Sequence, residues 1–266
     1  MRHIYSNLVI AFVLALTVTG CATQNNRDPL ESLNRGVYKF NDVADKAVFK
    51  PVATVYKNIT PSPVRTGVNN FFGNINTFIS TINNLLQFKF SNAFSEAGRF
   101  VINTTFGIGG LFDLASMDNI PKHKQDFGQT LGYWGLGNGP YLVLPILGPS
   151  TVRDTTGIVV DGLAFDPIGY LHDSDHVAES NILRGIEFIS KRAELLTASD
   201  LLDNASLDPY AFMRDAYLQS RANQVQDGMV PSDLNKGEFE DAAPVNGAPA
   251  SENPEITEKP TQDIQK

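Results

Sequence analysis

Residues 68–87 read VNNFFGNINTFISTINNLLQ, and the order of polar and apolar residues in this stretch decides how the rest of the chain is read. Apolar side chains recur at Val68, Phe71, Phe72, Ile75, Phe78, Ile79, Ile82, Leu85 and Leu86, the i, i+3, i+4, i+7 spacing of one helix face. Between them stand Asn69, Asn70, Asn74, Asn76, Thr77, Ser80, Thr81, Asn83, Asn84 and Gln87, and no charged residue falls between Arg65 and Lys89. A helix on a water-facing surface usually carries Lys and Glu on its outer side. A face of amides and hydroxyls instead suits a helix whose polar side lines a crowded or partly wet interior while its apolar side meets an oily phase. The pattern also fits a bundle-core helix whose amides are satisfied by neighbouring helices, and both readings stay open on this stretch alone.

Working outward, Asn92 to Thr105 reads as a second helix with Asn92 as N-cap and with Phe94, Ala97, Phe100 and Val101 inward. The run Phe106-Gly107-Ile108-Gly109-Gly110 ends it; no strand precedes this run and no Lys-Ser/Thr follows, so it is a helix stop and not a phosphate loop. Phe127 to Val152 is a second charge-free stretch, broken by eight glycines and prolines from Gly132 to Pro149 alone, and cannot be one helix. Its Tyr133-Trp134 and Tyr141-Leu-Val-Leu-Pro-Ile-Leu147 suit a lipid–water boundary, where amphipathic aromatics concentrate, or a buried loop. Thr151 to Phe165 reads as a helix begun at Pro149-Ser150. Glu179 to Leu196 reads as a conventional amphipathic helix with Ile182, Ile186 and Ile189 on one face, and Pro209 to Asn223 as another opened by Asp208. Strand-like alternation is nearly absent, so the class is mostly α in a single domain.

The two ends are different in kind. Arg2 and His3 precede the unbroken apolar run Leu8–Leu16, too short to span a bilayer and the right length for an export signal. Val18-Thr19-Gly20-Cys21 follows, with the chain's one cysteine, and resembles the bacterial lipobox, in which that thiol receives a diacylglycerol and the cysteine becomes the mature N-terminus. Residues 1–20 are therefore expected to be a lipoprotein signal peptide, residues 21–27 a lipidated tether and residues 28–221 the folded body. Residues 222–266 hold nine acidic and three basic side chains and five prolines, the composition of a disordered acidic tail. The whole chain carries a net charge of -8, of which the tail contributes -6, leaving a nearly neutral body. That balance argues against nucleic acid as a partner.

Catalytic chemistry is hard to place. His172-Asp-Ser-Asp-His176 has metal-ligand residue types but no third His or Cys beside it, no G-x-S-x-G occurs, and the spacing of Asp126, Asp154, Asp161 and Asp166 says nothing of their distance in space. The expectation is a protein that is not an enzyme and needs no cofactor and no metal. A purely structural or surface-interaction lipoprotein built on an ordinary helical bundle is the alternative to a transport role.

Four stretches, taken together and in order, resemble one family. They are Asp28-Pro29-Leu30-Glu31-Ser32-Leu33-Asn34-Arg35 with Tyr38 and Phe40-Asn41; Arg99–Thr105 running into Gly107–Gly110; Phe127–Gly132 continuing to Gly137-Asn138-Gly139-Pro140-Tyr141 and Leu144-Pro145; and Asp208-Pro209-Tyr210 with Arg214 and Tyr217. Behind a lipobox, this is similar to the MlaA (VacJ) family of outer-membrane lipoproteins. The resemblance implies a ring-shaped helical domain embedded in the inner leaflet of the outer membrane, with a central amphipathic channel. It implies removal of misplaced glycerophospholipids from the outer leaflet, their transfer to a soluble periplasmic carrier, and association with a trimeric outer-membrane porin. It places channel or gate residues at Lys39, Phe40 and Asn41 and in the Gly-rich segment at Gly137, Gly139, Pro140, Tyr141 and Leu144, with the two glycines as hinges. It also implies that Phe71, Phe72, Ile75, Phe78, Ile79 and Ile82 face the membrane or the channel, against a wall of uncharged polar groups.

Overall fold

The computed structural model describes residues 28–226, apart from residues 174 and 175. The segments expected to be a signal peptide (1–20) and a tether with Cys21 (21–27), and the residues beyond 226, lie outside the described residues, as do the side chains of residues 172, 173 and 203–205. The chain is predominantly helical. Helix α1 (Glu31–Ala44) passes through a π-helical turn (Asp45–Phe49) into α2 (Lys50–Ile59). The π-turn has a local cause: Pro51 lacks an N–H and its ring crowds the preceding turn, and the Lys50 N–H bonds back to the Asp45 carbonyl, five residues away.

Helix α3 (Ser62–Leu86) contains the stretch that opened the sequence reading; at 25 residues it is about 37 Å long. Pro63 sits in its first turn, where a missing N–H costs nothing. It ends at Phe88, which adopts a left-handed φ of 59° while the Lys89 N–H closes on the Asn84 carbonyl at 2.9 Å. Helix α4 (Phe90–Thr105) returns against α3, starting earlier than expected, with Lys89 and not Asn92 at its N-cap. The Gly107–Gly110 stop then forms: Gly110 (φ +95°) packs on the Asn74 side chain so closely that a Cβ there would lie 2.6 Å from it.

Short helices α5 (Leu114–Met117) and α6 (Phe127–Tyr133) follow, capped by the side chains of Asp113 and Asp126. The charge-free segment then forms an antiparallel hairpin, β1 (Tyr141–Leu144) with β2 (Gly148–Thr151), pairing Tyr141 with Thr151 and Leu144 with Gly148. The expectation that strands are nearly absent missed this hairpin. Ser150 lies in β2, and it is the Thr151 hydroxyl that caps α7 (Val152–Val160) by accepting the Asp154 N–H. A second π-turn (Asp161–Phe165) leads to α8 (Pro167–Asp173), α9 (Val177–Ala205) and α10 (Pro209–Val225). Helix α9 runs well past Leu196, and α10 carries helix into residues expected to begin the tail.

Burial is inverted relative to a water-soluble bundle. Among the described residues ten apolar side chains are buried against twenty-one polar or charged ones, while Ile59, Phe94, Phe106, Met117 and Leu163 are each about three-quarters exposed. The buried side of α4 is Ala93, Glu96, Arg99 and Asn103; Phe94 and Val101, expected inward, point out. The same holds in α9, where Ser180, Ser190, Ala193 and Leu196 are buried and Ile182 and Ile186 are exposed. Two small apolar clusters remain: Ala53, Ala193 and Leu196 between α2 and α9, and Tyr141, Val143 and Tyr210 between β1 and α10. Among the described residues no helix is long and apolar enough to cross a membrane.

Candidate functional site: an amphipathic cavity behind a clamped hairpin

The polar face of α3 divides into two halves with different employment. Its C-terminal half bonds to the helices and loops packed on it, with Asn84 Oδ1 left buried without a partner. Asn83 donates to Asp161 Oδ1 (3.0 Å) and accepts from Thr130 Oγ1 (2.8 Å), Asn84 donates to the His123 carbonyl (2.9 Å), and Gln87 donates to Gln125 and Thr130 (3.0 Å each). Here the bundle-like reading of the sequence holds. The N-terminal half, with Asn69, Asn70, Asn74, Asn76 and Thr77, also bonds to protein, Asn69 donating to Glu194 and Asn74 to Thr104, and it lines a cavity of about 1310 Å³. That exceeds the roughly 300–1,000 Å³ of a pocket for a drug-sized ligand.

The wall is amphipathic. Phe49, Phe72, Ile79, Ile158, Phe188 and Leu202 contribute apolar surface, and α3 contributes amides. The expected absence of charge from the wall is corrected: Lys46, Lys50, Arg99, Lys122, Arg184, Lys191 and Arg192 line it with their carboxylate partners. Arg192 forks onto Asp45 at 2.6 and 2.7 Å, Lys50 meets Asp200 at 2.6 Å and Arg184 meets Asp166 at 2.8 Å. Arg99, 1% exposed, donates to the Ile120 carbonyl and to Asp113, which also takes Asn103 (3.0 Å) and Lys122 (2.8 Å). Burial alone would raise the Asp113 carboxyl; the Lys122, Ser116 and Asn103 donors override it and hold it well below the usual carboxylate range. Asp161 runs the other way: burial pushes it up against the opposing Phe127 N–H and Asn83 amide.

The hairpin reaches the cavity with its tip, through Ile146, Leu147 and Gly148. Two asparagines of α1, two turns apart, hold it. Asn34 donates to the Tyr141 carbonyl (2.9 Å) and accepts the Val143 N–H (3.0 Å). Asn41 donates to the Leu144 carbonyl (2.9 Å) and accepts the Ile146 N–H (2.8 Å). The amides thus stand where a third strand would satisfy the free edge of β1.

Of the residues the sequence pointed to, Asn41, Phe72 and Ile79 line the cavity, with Tyr38 beside Asn41. Lys39 and Phe40 are exposed on the other side of α1, and Phe71, Ile75, Phe78 and Ile82 are half-buried outside the lining. Gly137, Gly139, Pro140, Tyr141 and Leu144 also lie outside it; Tyr141 is fully buried against Tyr210 and Tyr217. Gly139 has φ +66°, a conformation that suits a hairpin entry and resists proline. His176 is exposed and faces Glu179 at 3.5 Å.

Sequence reading missed the brace behind the site. Arg221, from α10, grips Asp126 (2.7 and 2.9 Å) and Asp154 (2.9 and 3.0 Å), and Tyr217 donates to the same Asp154 at 2.7 Å. Burial would raise both carboxyls, but the guanidinium holds each below its ordinary value, Asp154 at about 2. The spacing of Tyr210, Met213, Tyr217 and Arg221 is a helix stripe and was the available signal.

Comparison with known proteins places this geometry. Residues 26–224 match the family model for the MlaA lipoprotein. The intermembrane phospholipid transport system lipoprotein MlaA of Escherichia coli K12 is 38% identical over 218 residues, covering 77% of this chain and 84% of that one. Its Haemophilus influenzae counterpart is 35% identical over 231 residues, covering 83% and 91%, and an uncharacterized protein of Rickettsia bellii is 39% identical over 209 residues, covering 79% and 80%. A solved structure bearing on maintenance of bacterial outer membrane lipid asymmetry superposes with a TM-score of 0.65 at 35% identity, over 74% of this chain and 98% of that one. With a family model spanning most of the chain and relatives well above 30% identity along nearly their whole length, this chain belongs to the MlaA lipoprotein family.

Proposed function

We propose that this protein is the outer-membrane lipoprotein of an intermembrane phospholipid transport system, and that the cavity is the passage for a glycerophospholipid. The observation that carries the reading is the inversion itself: isoleucines and phenylalanines outward, amides and charge pairs inward, around a chamber of about 1310 Å³. Exposed apolar area on this scale needs an oily partner, and a two-tailed lipid with a polar head needs a wall of both kinds. Acyl chains on Cys21 anchor the body to the periplasmic-facing inner leaflet, and the apolar exterior sinks the ring of helices to one depth. Lipid misplaced in the outer leaflet descends into the chamber and leaves to a soluble periplasmic carrier, with a trimeric porin against the apolar exterior. No bond is broken, so no cofactor takes part.

The hairpin tip, clamped by Asn41, is the gate in this reading, with Gly137 and Gly139 at its entry. Gly137→Pro, at a position without the left-handed φ of Gly139, should increase phospholipid exposed in the outer leaflet, and unchanged exposure removes the gate. The decisive experiment is mass spectrometry of lipid extracted with the mature protein in mild detergent. Glycerophospholipid at about one molecule per chain supports the passage. A lipid-free protein that, with Cys21→Ser, stays monomeric in plain buffer overturns it in favour of a structural lipoprotein.

A further inference from the structure

We infer that the segment Lys122–Gln125 and α10 form a headgroup seat, in which Lys124 binds the phosphodiester of a glycerophospholipid and Gln129 binds its terminal ammonium or hydroxyl. The inference rests on the lipid-passage reading and adds the place where the polar end is held. A second cavity, of about 570 Å³, shares Lys122, Lys124, Gln125 and Gln129 with the large chamber as common wall. Its remaining polar wall comes from His123 and from α10, through Gln219, Ser220, Asn223 and Gln224. It has no Asp or Glu, and no apolar side chain larger than Ala216. The large chamber mixes carboxylates with aromatic and aliphatic groups; this one offers two lysines, side-chain amides, the Ser220 hydroxyl and the His123 imidazole. A headgroup and its tails want those two environments, side by side.

Two side chains in the shared wall are left over by the protein itself. Seven of the eight Lys and Arg side chains on the large chamber meet a carboxylate within 2.9 Å. Lys124 meets none among the described residues, and it is exposed to both cavities. Gln129 is 5% exposed; its Nε2 donates to Asp126 at 2.8 Å, which leaves Oε1 buried without a partner. A buried acceptor without a donor is costly, and a ligand N–H or O–H removes the cost. A cation for the phosphate and an acceptor for the group beyond it, both unpaired in the same wall, are the complement of a headgroup such as phosphoethanolamine or phosphoglycerol.

The test is binding of short-chain phosphatidylethanolamine to the full mature protein in detergent, with inorganic phosphate and glycerophosphoethanolamine as separate competitors. Lys124→Glu should raise Kd about tenfold or more and Gln129→Leu by a few fold, with no change for Lys57→Glu, which reverses a lysine outside both cavity linings. Glycerophosphoethanolamine should compete better than phosphate. Phosphate binding as tightly as the phospholipid would make the site one for a free anion and overturn the headgroup assignment. Equal phospholipid affinity in wild type and Lys124→Glu would overturn the seat and leave the passage standing, whereas no phospholipid binding by the wild type would overturn both.

Discussion

Asn41 holds Ile146 in a left-handed turn: its Oδ1 accepts the Ile146 N–H at 2.8 Å while its Nδ2 takes the Leu144 carbonyl, and the residue between them is Pro145. A β-branched residue at φ 67° is strained and persists only where its surroundings insist on it. The hairpin tip that lines the cavity is therefore bent by a helix side chain, and Asn41 ties it to α1.

Replacing Asn41 should free the tip without unfolding the body. Ile146 is half exposed, so water takes over the released groups, and Asn41→Leu should cost only about 1–2 kcal/mol. Asn34→Leu should cost more, because Asn34 is 1% exposed and its partners at Tyr141, Val143 and Asp28 would be stranded in the interior. Amide hydrogen exchange separates the two. Asn41→Leu should speed exchange at Ile146 and leave Val143 protected. Loss of protection along the whole strand in Asn41→Leu would mean the tip is not an independent element.

Sequence alone carried the helical class, because the 3.6-residue period of α3 and the cap at Asp208 are local signals. It carried direction only where charge was missing. In α3 the absence of Lys and Glu marked the inverted face, but α9 carries Glu187, Lys191 and Arg192 on the cavity wall, and charges on an amphipathic helix read by default as outward. The hairpin was illegible for a different reason. Its strands are four residues each, and the edge of β1 is satisfied by Asn34 and Asn41 from a helix more than a hundred positions away, which leaves no alternation to read. Lys39 and Phe40 came from a resemblance between stretches, which gives position along the chain and not the side of the helix.

The Arg221 brace predicts a specific acid sensitivity. Asp126 and Asp154 have folded pKa values below that of a free carboxyl, near 3.9. Their contribution to stability is present above pH ~4 and is lost as pH falls toward the Asp154 value of about 2. Arg221→Met removes the guanidinium and leaves two carboxylates facing one another, at a cost of about 3–5 kcal/mol at neutral pH. Urea unfolding in detergent at pH 7, 4 and 3 should show a steep acid loss in wild type and a shallower one in Arg221→Met. Equal slopes would assign the acid sensitivity elsewhere.

Two glycines should respond oppositely to alanine. A Cβ at Gly157 would sit 2.3 Å from the Gly128 nitrogen and 2.7 Å from its Cα, both backbone, so α6 and α7 must separate and carry Asp154 away from Arg221. Gly157→Ala should lose about 1–3 kcal/mol or more. Gly36, in the exposed side of α1, meets nothing within 4 Å, and Gly36→Ala should gain about 0.5–1 kcal/mol from helix propensity. The pair of unfolding midpoints is the check; a neutral Gly157→Ala would show that the α6–α7 crossing can relax.

Phe88 sets local conformation against exposure, and its replacement should split stability from membrane retention. It turns α3 into α4 at φ 59°, a geometry that favours glycine by about 1–2 kcal/mol. It is also 73% exposed and pairs edge-to-face with exposed Phe90. A soluble protein has no reason to keep a strained aromatic in water at a turn, whereas a chain whose outside is lipid gains from each ring it presents. Phe88→Gly should therefore unfold later in detergent than wild type and yet, with Cys21→Ser removing the proposed anchor, release more readily from membranes washed with urea. If Phe88→Gly stabilises the fold and leaves membrane retention unchanged, the α3–α4 turn does not face lipid, and the apolar exterior at that end has to be covered by protein.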